Sequence, residues 1–199
     1  MTIKICGITC QEDADGAIDG GATALGFNFF PKSPRYIAPE EAARIRSENV
    51  RRVGVFVNES AARIVEIARM ASLDVAQLHG DEPPAEFPEG FAVWKAARVE
   101  GGFDFERYRN SPAEALLLDG PAADLYGGSG KTFDWSLAAR AHQRIIIAGG
   151  LDASNVALAV ELAHPWGVDA CSRIESSPGR KDHKKMLEFL LAARAALGA

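Results

Sequence analysis

The sequence has few cysteines, and their spacing forms no recognisable pattern. There are three, at positions 6, 10 and 171, and four histidines are scattered among the 199 residues. An odd number of cysteines without short, regular spacing is not a disulfide framework, and a structural zinc site needs a tighter cluster of ligands. We therefore expect reduced thiols, no bound metal, and a fold that rests on its hydrophobic core.

Long apolar stretches and a strong charge of one sign are also missing. No apolar run is long enough to span a bilayer, and none follows Met1, so we expect neither a membrane span nor a signal peptide and place the protein in the cytoplasm. The formal net charge is −5, and basic residues cluster mainly at 51–52 and 180–185, without interleaved aromatics. Such clusters are typical of a solvated surface, so no nucleic-acid partner is expected.

What the sequence does contain is a regular alternation of strand and helix patterns. Short apolar, β-branched segments, several of them continuous as in buried parallel strands, occur at 3–6, 24–29, 52–57, 75–78, 92–96, 115–118, 144–148 and 168–171. Eight such units predict an α/β fold, a single (β/α)8 TIM-barrel domain over residues 1–199. The rival, an open doubly wound sheet, would show G-x-G-x-x-G after the first strand, where Cys6-Gly7-Ile8-Thr9 stands instead.

Capping residues indicate where several helices begin. Ser60 precedes an amphipathic segment, Pro39 followed by two acids opens another, and Asp182 precedes a last helix that should end near position 198. Asp152 or Ser154 is the expected cap of the helix that runs through position 162. The patterns at 106–111 and around 83–84 are too short to predict full helices, which fits a barrel at the small end of its size range.

Two candidate proton-transfer residues end predicted strands. Active sites of this fold lie at the carboxyl ends of the strands, where Cys6 follows the first strand and Asp119 the sixth. A thiol and a carboxyl group form a competent base and acid for isomerising a sugar. The structural alternatives are a packed thiol for Cys6 and a cap for Asp119. His79, after the fourth strand, either orients a ligand or closes a strand-end hydrogen bond.

Glycine-rich loops and an arginine indicate an anionic, phosphorylated ligand. Residues 127–130 read Gly-Gly-Ser-Gly, and Gly149 and Gly150 follow the seventh strand just before a helix. Barrels often bind phosphate in loops seven and eight, where backbone N–H groups and a helix N-terminus face the anion. Arg35, framed by prolines, can hold a carboxylate through two hydrogen bonds. The alternatives are an ordinary glycine turn and a solvated arginine.

Seven motifs together resemble one enzyme family, the phosphoribosylanthranilate isomerases. The likeness runs from the first strand to the last helix, and the order of the motifs makes it specific although each one alone is modest. The motifs are KICGI (4–8), LGFNF (25–29) with SPRY (33–36), QLHG (77–80), LLD (117–119), GGSGKTFDW (127–135), AGGL (148–151) and SPGRKD (177–182).

The resemblance implies a reaction in tryptophan biosynthesis that needs no cofactor or metal. Its small-molecule substrate, N-(5-phosphoribosyl)anthranilate, undergoes an Amadori rearrangement to 1-(2-carboxyphenylamino)-1-deoxyribulose 5-phosphate. By the same resemblance, Asp119 is the general acid that opens the sugar ring, and Cys6 is the base that removes the proton from C2. Arg35 holds the anthranilate carboxylate. The glycines that would cradle the phosphate are Gly128, Gly149 and Gly150.

The loop after strand eight departs from the family pattern Val-Asp-Val-Ser-Ser-Gly-Val-Glu. Residues 168–175 read VDACSRIE, so Cys171 replaces a serine and Arg173 a glycine, on either side of Ser172. We count Ser172 and Arg173 among the substrate-binding candidates. Three outcomes are open for Arg173: it turns outward and matters little, it adds a cation to the phosphate site and tightens binding, or it fills the site or strains the loop and lowers activity. A left-handed conformation would cost a non-glycine residue about 1–2 kcal/mol.

Two other functions remain as alternatives. A different sugar-phosphate isomerase or aldolase is one, and an aldolase would use a Schiff-base lysine at a strand end, for which Lys95 is the candidate. A phosphosugar-binding paralogue, with turnover impaired by Arg173, is the other. The apolar outer faces fit a monomer or a homodimer equally.

Overall fold

The computed structural model describes residues 1–100, 103–120 and 132–198. Eight parallel strands pair in sequence order, and the eighth pairs with the first, so the sheet closes into a barrel. The fold class predicted from the sequence is confirmed, and each predicted strand lies within two residues of the observed one. The strands are β1 (Thr2–Cys6), β2 (Ala24–Asn28), β3 (Arg51–Phe56), β4 (Val75–Leu78), β5 (Ala92–Arg98), β6 (Ala115–Asp119), β7 (Ile145–Ile147) and β8 (Gly167–Ala170).

Helices of unequal length surround the barrel. The α-helices are α1 (Gln11–Asp19), α2 (Pro39–Arg44), α3 (Ala61–Met70), α4 (Val156–Ala163) and α5 (His183–Leu197). Short 310 helices follow β4, β5 and β6, at Pro84–Glu86, Phe105–Tyr108 and Trp135–Arg140. The first two coincide with the segments whose sequence pattern was too short for a full helix. In the described part of the chain, no helix combines the length and the apolar character that crossing a bilayer requires.

The predicted caps of α3 and α5 are confirmed. The Ser60 side chain accepts a hydrogen bond from the backbone N–H of Arg63, and Asp182 accepts one from that of Lys185. Each bond satisfies one of the backbone donors left unpaired at a helix start. Gly198 ends α5 in the left-handed conformation, with φ of 69°, as a C-terminal glycine does.

The predicted cap of α4 was wrong. The helix begins at Val156, and Asn155 stands at the cap position. The carboxylate of Asp152 is instead bound to the backbone N–H of Ser154, 2.9 Å away, and so forms a turn ahead of the helix. Asn155 donates its side-chain amide to the carbonyl of Gly150 at 2.8 Å. Polar residues in the loop therefore secure the strand-seven glycines rather than the helix start.

Side-chain alternation divides the strands between two apolar layers. In β1, Ile3 and Ile5 pack outward against the helices, while Lys4 lies on the inner face. The inner layer is built from Ala24, Val53, Val75, Trp94, Ala96, Ala115, Leu117, Ile146 and Ala148. Trp94 is fully buried and meets Trp166 edge to face, with 6.0 Å between ring centroids. The interior is thus a packed core, and polar side chains collect at its carboxyl end.

A small antiparallel ribbon between β8 and α5 was not predicted. It consists of β9 (Glu175–Ser177) and β10 (Arg180–Lys181). Its turn contains Gly179, whose φ of +81° favours glycine, and the Thr9 hydroxyl donates a hydrogen bond to the Gly179 carbonyl. The ribbon brings Glu175 and Lys181, both buried, to the mouth of the barrel.

Candidate active site

Eight of the nine residues proposed from the sequence line one pocket at the carboxyl end of the barrel. Strand ends β1, β4 and β6 place three of them, and the loops after β2, β7 and β8 place the others. They are Cys6, Arg35, His79, Asp119, Gly149, Gly150, Ser172 and Arg173. The ninth, Gly128, belongs to the glycine-rich segment 127–130, which lies outside the described residues.

The environment of Cys6 favours a thiolate. Its pKa is lowered well below the ordinary thiol value, first by a hydrogen bond from the Cys171 thiol, which outweighs the opposing effect of burial. The positive charges of Lys4 and Lys181 lower it further. A general base needs this tuning, because a free thiol has a pKa of about 8.5 and is mostly protonated at neutral pH.

A buried ion pair lies beneath Cys6. The ammonium of Lys4 is 2.8 Å from Oδ2 of Asp169, and both side chains are buried on the inner face of the barrel. Burial raises the pKa of Asp169 to about 7, against the attraction of Lys4. Its other oxygen, Oδ1, has no hydrogen-bond partner among the described residues. This pair was not predicted, although Lys4 and Asp169 are charged residues within otherwise apolar strands.

Asp119 stands across the pocket from Cys6, three strands away around the barrel. Its Oδ1 accepts a hydrogen bond from the backbone N–H of Gly120 at 2.8 Å. Nε2 of His79 lies 3.4 Å from Oδ2, and Nδ1 of the same ring lies 3.0 Å from the Gln77 amide nitrogen. If the amide donates to Nδ1, then Nε2 carries the ring proton and faces Asp119. His79 thus contacts the candidate acid directly, and does more than close a strand end.

Arg35 is held in place by a carboxylate, and is not a freely solvated side chain. Its Nε lies 3.0 Å from Oε1 of Glu175, and its Nη2 lies 2.8 Å from Oε2. Glu175 also accepts from the ammonium of Lys181 at 3.1 Å and from the backbone N–H of Gly179 at 3.2 Å. Burial raises the pKa of Glu175, but these cations outweigh it and the pKa is lowered. Glu175 and Lys181 lie within the quoted segments 168–175 and 177–182, but their role beside Arg35 was not predicted, because their placement depends on the unpredicted ribbon.

The loops after β7 and β8 form the other side of the pocket. Gly149 and Gly150 have φ values of 80° and 65°, in the left-handed region that residues other than glycine rarely adopt. Arg173 lies in a 310 turn, is exposed, and donates from Nη1 to Oδ2 of Asp152 at 2.6 Å. Its φ is not positive, so the strained-loop outcome for Arg173 is wrong. The guanidinium lies at the pocket rim, linking loop eight to loop seven.

Lys95, the candidate Schiff-base lysine, is engaged in structural hydrogen bonds. Its buried ammonium donates to the carbonyls of Leu78 and Gly80, at 3.2 and 2.6 Å, and lies 3.1 Å from Oε2 of Glu82. The ammonium group is therefore committed to three acceptors of the barrel itself, whereas a Schiff-base lysine must present its nitrogen to the substrate. In the described ranges, no group of three or more His, Cys, Asp or Glu side chains is placed to hold a metal ion.

The closed barrel and the pocket at its carboxyl end define a class, the TIM-barrel enzymes. The family model of N-(5′-phosphoribosyl)anthranilate isomerase matches residues 3–192 of the chain. A relative from Solibacter usitatus, named N-(5′-phosphoribosyl)anthranilate isomerase, is 70% identical over all 199 residues and over its own full length. The chain therefore belongs to the phosphoribosylanthranilate isomerase family.

Solved structures agree with this assignment. Monomers generated from the dimeric isomerase of Thermotoga maritima superpose with a TM-score of 0.87 and 41% identity, over 98% of this chain and 99% of that one. A phosphoribosylanthranilate isomerase in complex with reduced 1-(o-carboxyphenylamino)-1-deoxyribulose 5-phosphate gives a TM-score of 0.86 and 39% identity, with the same coverage. The activity is the isomerisation of phosphoribosylanthranilate in tryptophan biosynthesis.

Proposed function

We propose that Cys6 and Asp119 carry out the two proton transfers of this isomerisation. The observation that supports the proposal best is their placement. They line the same pocket from opposite parts of the barrel, and the Cys6 thiol lies near the ammonium groups of Lys4 and Lys181. Asp119 protonates the ring oxygen of the ribose and opens the ring to a Schiff base. The Cys6 thiolate then removes the proton from C2, and the resulting enolamine tautomerises to the ketone.

The neighbours of the two groups fit these roles. His79 contacts Oδ2 of Asp119 and can donate a hydrogen bond from Nε2 to the carboxylate that remains after the ring oxygen has taken its proton. Lys4 and Cys171 stabilise the negative charge of Cys6 before it removes the proton from C2. Acid–base catalysis by two groups in one pocket requires separate surroundings for the acid and the base.

Arg35 is proposed to bind the anthranilate carboxylate. Glu175 engages Nε and one proton of Nη2, which leaves the N–H donors of Nη1 and the second proton of Nη2 for a ligand. A guanidinium held in this way needs little ordering when the substrate binds. Glu175 therefore acts as a positioning residue and not as a competitor for the substrate.

The phosphate is proposed to bind between loops seven and eight. Gly149 and Gly150 bring backbone N–H groups close to the pocket, and Ser172 supplies a hydroxyl on the facing turn. Arg173 contributes positive charge at the rim, shared with Asp152. Gly128, from the segment outside the described residues, is proposed to complete the cradle.

Three broader properties are proposals as well. We propose that residues 1–199 act as one domain, since the strands at both ends of the chain pair to close the barrel. A monomer or a homodimer is proposed, with the dimeric Thermotoga maritima enzyme as a precedent. A cytoplasmic location is proposed because a thiol base must remain reduced to work.

The test of the catalytic roles is the isomerase assay itself. Phosphoribosylanthranilate is generated in situ, and the loss of its fluorescence is followed for the parent, Cys6→Ser and Asp119→Asn. Because general acid–base catalysis contributes about 10²–10⁴-fold, we expect each variant to lose activity by about that factor. Cys10→Ser is the matched control and should retain parental activity, since Cys10 does not line the pocket. Near-parental turnover by folded Cys6→Ser would contradict the assignment of the base.

A further inference from the structure

A second thiol lies beside Cys6, placed there by the closure of the barrel. β1 and β8 run parallel, with Lys4 in register with Asp169. Side chains on one face of a strand recur every two residues, so Cys6 and Cys171, each two positions further on, are neighbours on the same inner face. A methyl group built on Gly7, the residue after Cys6, would lie 3.2 Å from Sγ of Cys171.

We propose that Cys6 and Cys171 are a site of reversible oxidation and form an intramolecular disulfide when the protein meets a peroxide. Neighbouring strands are about 4.7–4.9 Å apart, within the range of about 4.4–6.8 Å that Cα atoms span in disulfides. Both residues line the open pocket, so a molecule as small as hydrogen peroxide reaches them.

The chemistry needs only the peroxide and the two thiols. The Cys6 thiolate attacks one peroxide oxygen, the O–O bond breaks, and hydroxide leaves, so Cys6 becomes a sulfenic acid. Cys171 then loses its proton and its sulfur attacks the Cys6 sulfur, which releases water and forms the S–S bond. The cysteines lose two electrons in total, and the peroxide is reduced to one water and one hydroxide, which takes up a proton from the solvent.

The two thiols are suited to different steps. Cys6 has a lowered pKa and is therefore the thiolate that reacts first. The pKa of Cys171 is raised by its hydrogen bond to Cys6 and by burial. Forming the sulfenic acid removes the negative charge of Cys6, and with it the main cause of that raised value. Cys10 lies at the start of α1, outside the pocket, and burial raises its pKa, so it serves as an internal control.

The test combines thiol counting with peptide mapping. Trypsin cuts the chain into peptides 5–32 and 145–173, which carry Cys6 with Cys10 and Cys171 respectively. The Cys10→Ser variant therefore gives an unambiguous link. After mild peroxide treatment we expect one disulfide joining these two peptides, no titratable thiols, and release of the link by dithiothreitol. Free Cys171 beside a sulfinic or sulfonic Cys6 would overturn the proposal.

Activity supplies a second readout, whose interpretation rests on the role proposed for Cys6. Oxidised protein should lose activity by about 10²-fold or more, as expected when a general base is blocked, and regain it with dithiothreitol. Cys171→Ser, treated in the same way, should lose activity that dithiothreitol does not restore, because its Cys6 is oxidised past the sulfenic acid. A mapped disulfide without loss of activity would uphold the oxidation site and count against Cys6 as the base. Equal recovery in Cys171→Ser would refute the role of Cys171.

Discussion

Replacing Lys4 by methionine should raise the pKa of Cys6 and move the activity profile to higher pH. The ammonium of Lys4 is one of the charges that lower this pKa, after the hydrogen bond from Cys171. Two unit charges about 4 Å apart interact by about 4 kcal/mol at an effective dielectric constant of about 20, and one pKa unit corresponds to about 1.4 kcal/mol. The loss of Lys4 can therefore raise the pKa of Cys6 by at most about three units. Asp169 shares the Lys4 charge at 2.8 Å, so we expect an increase of about one to two units.

The assay measures this pKa in two independent ways. In a Cys10→Ser background, the rate of iodoacetamide alkylation at Cys6, followed by mass spectrometry between pH 5 and about 10, reports the thiolate fraction directly. The acid limb of kcat/KM against pH reports the same group in the free enzyme. Lys184→Met removes an exposed lysine from α5 and is the matched control, with no shift expected. If folded Lys4→Met shows parental profiles in both measurements, the electrostatic reasoning about Cys6 is refuted.

The same substitution should change how stability depends on pH. Burial already raises the pKa of Asp169 to about 7, and losing Lys4 raises it further. Asp169 has a pKa of about 3.9 in the unfolded chain and a higher one in the folded protein. Between these two pH values the folded state binds more protons than the unfolded state, so the free energy of unfolding falls as pH rises. Urea unfolding of Lys4→Met at several pH values should show this decline more steeply than the parent. The kinetic comparison belongs at pH values where the variant is still fully folded.

Arg173→Ala should lower the free energy of unfolding by less than about 1 kcal/mol, since the ion pair of Arg173 with Asp152 is largely exposed. If the guanidinium binds phosphate equally in the ground state and the transition state, the substitution should raise KM with little change in kcat. Steady-state kinetics at several salt concentrations and urea unfolding check both parts, and an unchanged KM would leave Arg173 outside the phosphate site. Asp182→Ala should destabilise the protein by about 0.5–2 kcal/mol through the lost cap of α5, more than a surface substitution such as Lys184→Met, as measured by urea unfolding.

The barrel was predictable because its signals are local and repeated. Runs such as Ile145-Ile146-Ile147 indicate buried parallel strands on their own, and eight of them with helices between leave few topologies. Cys6 and Asp119 were predictable for a related reason, since a strand end in this fold points into the mouth. The glycines after β7 carry their own signal, because their positive φ values require that residue type.

What could not be predicted depends on contacts between distant parts of the chain. The Lys4–Asp169 pair joins residues 165 positions apart and exists only because the barrel closes. Arg35 and Glu175 are 140 positions apart, and they meet through a ribbon whose strands are too short to give a periodic pattern. The predicted cap of α4 was wrong for a different reason. Asp152 and Asn155 both have side chains suited to a cap, and their hydrogen bonds within the loop determine which of them precedes the helix.

Arg173 and Cys171, the two residues that distinguish loop eight, differ in whether they contact the proposed base. Arg173 lies at the pocket rim, where it pairs with Asp152, and its backbone has no positive φ, so its side chain does not contact the two residues proposed for proton transfer. Cys171 projects inward to Cys6 and alters the group that we propose as the base. A thiol is more acidic than the hydroxyl of serine and is a softer, weaker hydrogen-bond donor. The substitution at 171 therefore changes the tuning of Cys6 and its response to oxidants together, so one variant, Cys171→Ser, should shift the pH profile and remove the reversible oxidation at the same time.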